Sequence, residues 1–242
     1  MEKNKRQSYW EHLQEFRNRV LWILFYLVLG FIVAYFFHKE IFQLLALPLL
    51  KCAPRQYKNV FAFHELSEPF FTYLKISFYS GIFIASPFIL HQIWLFISPA
   101  LYKSEKRFVI PFIFFSTTLF LLGGLFGYFV GLKYMISFFM QEAEGLIPVI
   151  TMKGYFSLAI TVILGMGIVF ELPILILFLT LFRIIDYKFL LSKLKWAIFI
   201  IFLIAAIITP SGDPVTQTVF ALPMVILYLI GIVVSYFVKK RL

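Results

Sequence analysis

Residues 154–182 read GYFSLAITVILGMGIVFELPILILFLTLF, and Glu171 is the one charged side chain in this stretch. A helix needs about 20 apolar residues to cross a hydrocarbon core of roughly 30 Å, so the stretch is long enough to span a bilayer. It lacks the strict alternation of apolar and polar residues that marks a strand of a membrane barrel. Since backbone polar groups in lipid must be satisfied internally, the stretch predicts a membrane-spanning α-helix.

The same pattern recurs along the chain. The 242 residues are 62% hydrophobic and 14% charged, whereas an average soluble domain is about a quarter charged. We therefore expect an all-α, polytopic integral membrane protein with a single domain over residues 1–242. Its six predicted spans lie at approximately residues 20–37, 70–97, 108–133, 155–182, 196–210 and 215–238. The first span lacks a small-residue cleavage site and is expected to be retained.

Some of the predicted helices are irregular. The apolar core of the fifth span, residues 196–208, corresponds to roughly 20 Å of helix, which is short for an average bilayer. Apolar residues 41–50, interrupted by Pro48, predict a short helix at the outer membrane interface. Proline removes a backbone hydrogen bond, so bends are expected at the prolines inside the spans. These are Pro87, Pro111, Pro173 and Pro223.

The distribution of positive charge predicts the orientation. The net charge is +10, and most Lys and Arg residues fall at the N-terminus, at the C-terminus, and in the second–third and fourth–fifth connections. The positive-inside rule then places both termini in the cytoplasm. A basic surface for DNA is the rival interpretation, but the charges are scattered between spans rather than gathered in a domain. No nucleic-acid partner is expected.

Glu171 is the most unusual polar residue. An ionised carboxylate inside a span costs about 2.5 to 3.5 kcal/mol even on a lenient scale. Protonation, a hydrogen bond to a neighbour such as Gln217, or a water-filled concavity would each offset that cost. A functional role and a purely structural hydrogen bond both remain open, and a proton-coupled small-molecule transporter is one functional alternative.

Two further carboxylates are expected on the cytoplasmic face. Glu15 and Arg19 lie one helical turn apart before the first span, and this spacing favours an ion pair. Glu105 lies in the second–third connection. Two carboxylates there would bind guanidinium groups through bidentate hydrogen bonds that a Lys ammonium reproduces poorly. Taken alone, Glu15 and Arg19 are better explained by a solvated interfacial helix, and a loop carboxylate paired with nearby Lys or Arg accounts for Glu105 at least as well.

Covalent chemistry has little support in the sequence. The four histidines have no metal-ligand spacing, Cys52 is a lone cysteine, and no catalytic serine or phosphate-binding glycine motif is present. We expect no metal, no cofactor and no enzymatic activity. A membrane enzyme is the least supported alternative.

Taken together, several short motifs resemble the TatC family, the receptor component of the twin-arginine protein translocase. Each motif is weak alone, but their order along nearly the whole chain is specific. The motifs are His12-Leu-x-Glu15-x-Arg17-x-Arg19, Pro48, Glu68-Pro-Phe70-Phe, Lys75, Gln92-x-Trp94-x-Phe96-x-x-Pro99-x-Leu101-Tyr102-x-x-Glu105-x-Arg107, Phe170-Glu171-x-Pro173, Thr209-Pro210, Asp213 and Gln217. The chain departs from the family at Phe16, Val20 and Lys106, and in a longer turn at residues 209–214.

The resemblance implies a glove-like, concave bundle of six helices in the bacterial inner membrane. Such a protein recognises signal peptides with paired arginines and exports folded proteins using the proton-motive force. Its partners would be TatA- and TatB-like single-span proteins, in a homo-oligomeric receptor complex. By resemblance, signal-peptide binding falls to Glu15, Arg17, Arg19, Phe96 and Glu105, partner contact to Glu171 and Gln217, and structural or outer-face roles to Pro48, Phe70, Pro210 and Asp213.

Overall fold

The computed structural model of the chain describes residues 9–52, 61–97, 109–146, 149–209 and 212–241. These residues are almost entirely helical, which confirms the all-α prediction. The elements are α1 (Tyr9–Phe36), α2 (His38–Cys52), α3 (Glu68–Ile97), α4 (Val109–Phe126), a π-helical turn (Gly127–Gly131), α5 (Leu132–Glu142), α6 (Met152–Val169), α7 (Leu172–Leu181), α8 (Tyr187–Ser192), α9 (Leu194–Ile208) and α10 (Pro214–Arg241).

Five helical segments of the described chain are long and apolar enough to cross a membrane. They are Leu13–Phe36, Glu68–Phe96, Ile110–Glu142, Met152–Leu181 and Pro214–Lys239. The remaining apolar helix, α9, has 15 residues and so extends over about 22 Å. It is the short fifth helix that the sequence predicted. One of its faces contacts α10, where the Gln217 side-chain amide donates to the Phe202 carbonyl over 2.8 Å.

The first long helix packs mainly on the second through a close glycine contact. A Cβ atom added at Gly30 would lie 2.5 Å from the Gly81 carbonyl oxygen, and one added at Gly81 would lie 2.6 Å from the Phe31 nitrogen. The two backbones therefore touch, as small residues allow in membranes. Only 11% of the apolar stretch of α1 is buried in the molecule, so most of its surface is left for lipid.

The third span is longer than the sequence predicted. It runs through α4, the π-helical turn and α5 to Glu142, past the expected end near Lys133. Lys133 is exposed, and a long basic side chain at the surface of a helix reaches water without ending the helix. Gly123 and Gly127 pack directly on the backbone of α6.

The fourth span is broken at its carboxylate. Helix α6 ends at Val169, a turn holds Phe170 and Glu171, and α7 begins at Leu172 with Pro173 in its first turn. Proline is well suited to a first turn because the nitrogen there has no partner within the helix. The proline at this position accompanies a break, whereas α3 and α10 continue through Pro87 and Pro223.

The short outer helix α2 confirms the prediction made from residues 41–50, and Pro48 lies within it. A proline deprives the carbonyl four residues earlier of its donor. Here that carbonyl belongs to Leu44, and it accepts a hydrogen bond from the Tyr128 hydroxyl over 2.7 Å. The Tyr155 hydroxyl donates to the next carbonyl, that of Leu45, also over 2.7 Å. Pro48 thus leaves a carbonyl acceptor free, and the hydrogen bond to that carbonyl connects α2 with the third span.

Contacts between segments distant in the sequence mark the two ends of the bundle. At one end, Trp94 of α3 packs against Phe178 of α7 with ring centroids 4.0 Å apart. At the other, Ala62 pairs with residues 150–152 through backbone hydrogen bonds of 2.9 and 3.0 Å. We call the first the inner end, since the distribution of Lys and Arg assigns it to the cytoplasm, and the second the outer end.

Candidate functional site

The inner end holds an arginine bound between two helices. The Arg19 guanidinium donates to Glu15 Oε1 within α1 and to Gln92 Oε1 of α3, over 3.2 Å in each case. The side chain of Arg19 is 27% exposed and that of Glu15 is 19% exposed. The predicted ion pair is therefore present, and it is shielded more than an exposed helix pair would be. Gln92 extends it from α1 to α3.

Aromatic packing continues this site along α3. The rings of Phe96 and Phe16 meet edge to face with centroids 5.5 Å apart, so Phe96 lies beside the helix that carries Glu15. Arg17 is exposed. A cavity of about 390 Å³ opens next to the ion pair and is lined by Gln14, Glu15, Asn18, Arg19 and Trp22. Two residues predicted for the functional sites, Glu105 and Pro210, lie outside the described residues.

Glu171 forms a second polar site, between the third and fourth spans. The Ser116 hydroxyl of α4 donates to Glu171 Oε2 over 2.6 Å. The other oxygen, Oε1, is enclosed and accepts no hydrogen bond within the described part of the chain. The Thr117 hydroxyl beside Ser116 is likewise enclosed. An acidic group with one unused acceptor thus lies at the break of the fourth span.

The suggested hydrogen bond between Glu171 and Gln217 was wrong. The Gln217 side chain donates to the Phe202 carbonyl of α9 instead. The two residues lie at different distances from the outer end, which explains why they do not meet. Gln217 lies in the first turn of α10, at the outer end, whereas Glu171 follows the outer start of α6 at Met152 by roughly 28 Å of helix.

The residues predicted for the outer face have structural contacts. Asp213 accepts a hydrogen bond from the Thr216 nitrogen over 2.6 Å and so caps the start of α10. Phe70 is exposed and its ring packs on that of Phe71. Pro48 acts through the Leu44 carbonyl, as described above. These residues lie far from Glu15 and Glu171, so the predicted residues form three separate groups.

Sequence reasoning gave no role to three residues that complete these groups. Gln92 appears in a motif but was not connected with Arg19. Ser116 belongs to a Ser-Thr-Thr cluster in an apolar run, and this cluster is the signal that would have found it. Glu68 is 7% exposed and accepts hydrogen bonds from the backbone nitrogens of His64 and Lys153, both over 2.9 Å.

Nearly every long helix exposes apolar side chains, and the polar contacts described above lie at the two ends and at one break. This arrangement defines a multi-pass membrane protein. The family model described as Sec-independent protein translocase protein (TatC) matches residues 11–223. The chain belongs to this family, and the resemblance seen in the motifs is confirmed. It is a component of the twin-arginine translocase, a transport protein of the bacterial inner membrane.

Individual relatives cover almost the whole chain. The TatC protein of Koribacter versatilis (strain Ellin345) is 42% identical over 98% of this chain and 88% of its own length. That of Haemophilus influenzae (strain ATCC 51907 / DSM 11121 / KW20 / Rd) is 36% identical over 95% of this chain and 89% of its own.

Two crystal structures described as twin arginine translocase receptor TatC share the fold. The first matches with a TM-score of 0.80 and 36% identity over 95% of this chain and all of that one. The second, in DDM, matches with a TM-score of 0.82 and 37% identity, and the match covers 93% of this chain and 99% of that one. Membership of a protein translocase family favours protein export over the alternative of a small-molecule transporter.

Proposed function

We propose that this protein is the signal-peptide receptor of the translocase and binds paired arginines at the inner end of α1 and α3. The observation that supports this most directly is the contact between Glu15 and the Arg19 guanidinium, since it is the type of contact that an incoming arginine would make. Bound precursors would then be exported in the folded state at the expense of the proton-motive force. The protein itself would form no covalent intermediate and need no cofactor.

The surroundings of Glu15 suit this role. A planar guanidinium matches a carboxylate through two parallel hydrogen bonds, and a Lys ammonium does not. Arg19 uses one oxygen of Glu15, and the cavity beside the pair gives a peptide side chain access to the carboxylate. Glu105 supplies the second carboxylate of this proposal, Arg17 lies on the same helix, and Phe96 shapes the site next to Phe16.

Partner contact is assigned to the break in the fourth span. Oε1 of Glu171 is enclosed within the single chain, so a polar side chain of a TatA- or TatB-like single-span helix would bond it once the Glu171 side chain turns outward, and such bonds hold helices together in lipid. The exposed side chains of Ile168 and Leu175, on either side of the break, offer that helix an apolar surface. Gln217 would contribute at the outer end. Copies of the receptor would form the homo-oligomeric complex.

Site-specific photocrosslinking tests the assignment of the carboxylates. A photoreactive phenylalanine analogue is placed at Phe96, and membranes are incubated with a precursor that carries a twin-arginine signal. We expect an adduct whose yield falls at least about tenfold when the signal carries Lys-Lys, because one lost charge-assisted contact is worth roughly 1.4 kcal/mol or more. Glu15→Gln and Glu105→Gln should each lower the yield in the same way.

Glu40→Gln provides the matched control, because Glu40 is an exposed carboxylate in the first turn of α2, away from the inner end. It should leave the adduct unchanged. An adduct that survives both the Lys-Lys signal and the loss of Glu15 and Glu105 would overturn the proposed arginine site.

A further inference from the structure

A cavity at the outer end has no part in the function proposed above. It has a volume of about 330 Å³ and lies where α3 and α6 begin, beside the segment that precedes α3. Lys75, Lys153 and Ser157 line it together with Glu68 and Phe71. Two basic side chains therefore face one space at the level where the helices enter the membrane.

Lys75 is an exposed basic residue close to the start of a helix long enough to span a membrane. It follows the start of α3 at Glu68 by seven residues, or about 10 Å of helix. Its ammonium donates to the Ser157 hydroxyl over 3.0 Å, and no carboxylate of the described residues pairs with it. An exposed lysine near the end of a spanning helix extends toward the headgroups along its flexible stem. A single serine hydroxyl does not balance the charge.

The nearest buried carboxylate does not provide the missing counter-charge. Both oxygens of Glu68 accept backbone N–H groups, one from His64 and one from Lys153. These bonds fix the wall of the cavity by tying the start of α6 to the start of α3. Glu65, also at the cavity, is exposed and accepts a hydrogen bond from the Ser67 hydroxyl over 3.3 Å. The ammonium groups of Lys75 and Lys153 thus keep their capacity to donate.

We propose that this cavity binds the phosphate of a phospholipid headgroup from the outer leaflet, with Lys75 and Lys153 donating to the phosphate oxygens. The volume suits a headgroup, and the cavity lies beside the first residues of two spanning helices, which places it near the lipid phosphates in this proposal. Phe71 lines the same cavity and is 62% exposed, so its ring is placed against the upper part of the acyl chains. The lipid supplies the anion that Lys75 lacks and bridges α3 and α6.

Photolabelling in vesicles tests the proposal. The full-length protein is reconstituted in phosphatidylethanolamine and phosphatidylglycerol that include a phospholipid with a diazirine near its headgroup. Adducts are mapped by mass spectrometry. We expect enrichment on the peptides that contain residues 61–75 and 149–157, with at least about a tenfold loss in the Lys75→Gln, Lys153→Gln double variant, since two charge-assisted hydrogen bonds are removed. Lys75→Arg, which keeps the charge, should retain the adduct.

Lys133→Gln is the matched control, because it removes one exposed lysine that does not line the cavity. It should label like the wild type. Equal labelling in the double variant, with an unchanged thermal unfolding midpoint, would overturn the proposal. Millimolar inorganic phosphate should not displace the lipid label. Displacement, together with broadening of the phosphate ³¹P resonance, would show that the site takes a free anion and would overturn the assignment to phospholipid.

Discussion

The Ser116 hydroxyl donates to Glu171 Oε2 over 2.6 Å, and this bond links the third span to the break in the fourth. The residues are 55 positions apart in the chain. The bond satisfies one oxygen of an acid inside a span and leaves the other enclosed without a donor in the described part of the chain. The carboxyl group at the break is therefore bonded through one oxygen, and we propose that a partner helix binds at the exposed surface beside it.

Substitution of Glu171 should affect export more than insertion. Glu171→Gln keeps an acceptor for Ser116 and should slow export of a twin-arginine reporter modestly. Glu171→Leu removes both acceptors and should slow it by about fivefold or more, the lower range of typical coupling energies. Export is measured by fractionation, with membrane levels from immunoblots. Thr118→Val is the control, since the Thr118 hydroxyl bonds within its own helix to the Phe114 carbonyl. Wild-type export by Glu171→Leu would contradict the role of the acid.

The glycine contact between α1 and α3 should not tolerate a side chain. At Gly81 a Cβ atom meets backbone atoms of Gly30 and Phe31 between 2.6 and 2.9 Å. Because backbone cannot move aside as a side chain does, Gly81→Ala should destabilise the protein by about 1–3 kcal/mol. Thermal unfolding in detergent measures this. Gly165→Ala is the matched control, since its added methyl meets the Ile208 side chain no closer than 3.3 Å. Equal midpoints for the two variants would refute the close packing.

The two acceptors of Glu68 should matter for the outer end. Glu68→Gln retains a single carbonyl oxygen, so one backbone nitrogen, of His64 or of Lys153, loses its partner. An unsatisfied buried donor costs about 1–3 kcal/mol, and because these two bonds are partly buried we expect a loss near the lower end of that range. The segment before α3 should then become more sensitive to protease. Limited proteolysis followed by mass spectrometry reports the cleavage. Glu65→Gln, at an exposed carboxylate whose partner within the described residues is the Ser67 hydroxyl, should digest like the wild type.

The connection between the fourth and fifth spans should lose an interaction in acid. A hydrogen bond from the Lys239 ammonium, followed by one from the Phe189 nitrogen, lowers the pKa of Asp186 below its usual value. A lowered folded-state pKa stabilises the protein above the unfolded value of about 3.9, and this contribution is lost as pH falls through the folded value. Unfolding midpoints from pH 6 to pH 3 should therefore fall less in Asp186→Asn than in the wild type. Parallel curves would contradict the prediction.

Local and compositional features were readable from the sequence. Long apolar runs predicted the helices, the short run at residues 196–208 predicted the short α9, and the spacing of Glu15 and Arg19 predicted their ion pair. Each of these depends on neighbours within one or two helical turns. The extension of the third span past Lys133 was missed because a charge was taken as the end of a helix, although an exposed lysine does not end one.

Contacts between distant residues were not readable from one sequence. Gln92 meets Arg19 only because α1 and α3 are antiparallel, and Ser116 meets Glu171 only because α4 packs on α6. The mistaken pairing of Glu171 with Gln217 had the same origin, since the depth of each residue depends on where its helix begins. Glu105 and Pro210 stay predictions. The outer cavity depends on three separate segments and had no signal beyond the position of Lys75.

The pairing of spans also bears on how the protein is made. Helix α1 packs on α3, α3 on α4, and α4 on α6, so each of these finds its neighbour soon after it leaves the ribosome. Helix α7 is the exception, because its principal neighbour is α10, which is separated from it by two helices in the described chain. The inner half of the fourth span therefore gains its main packing surface only after α8, α9 and α10 have been made, and until then its contacts are with aromatic side chains of α3 and α4.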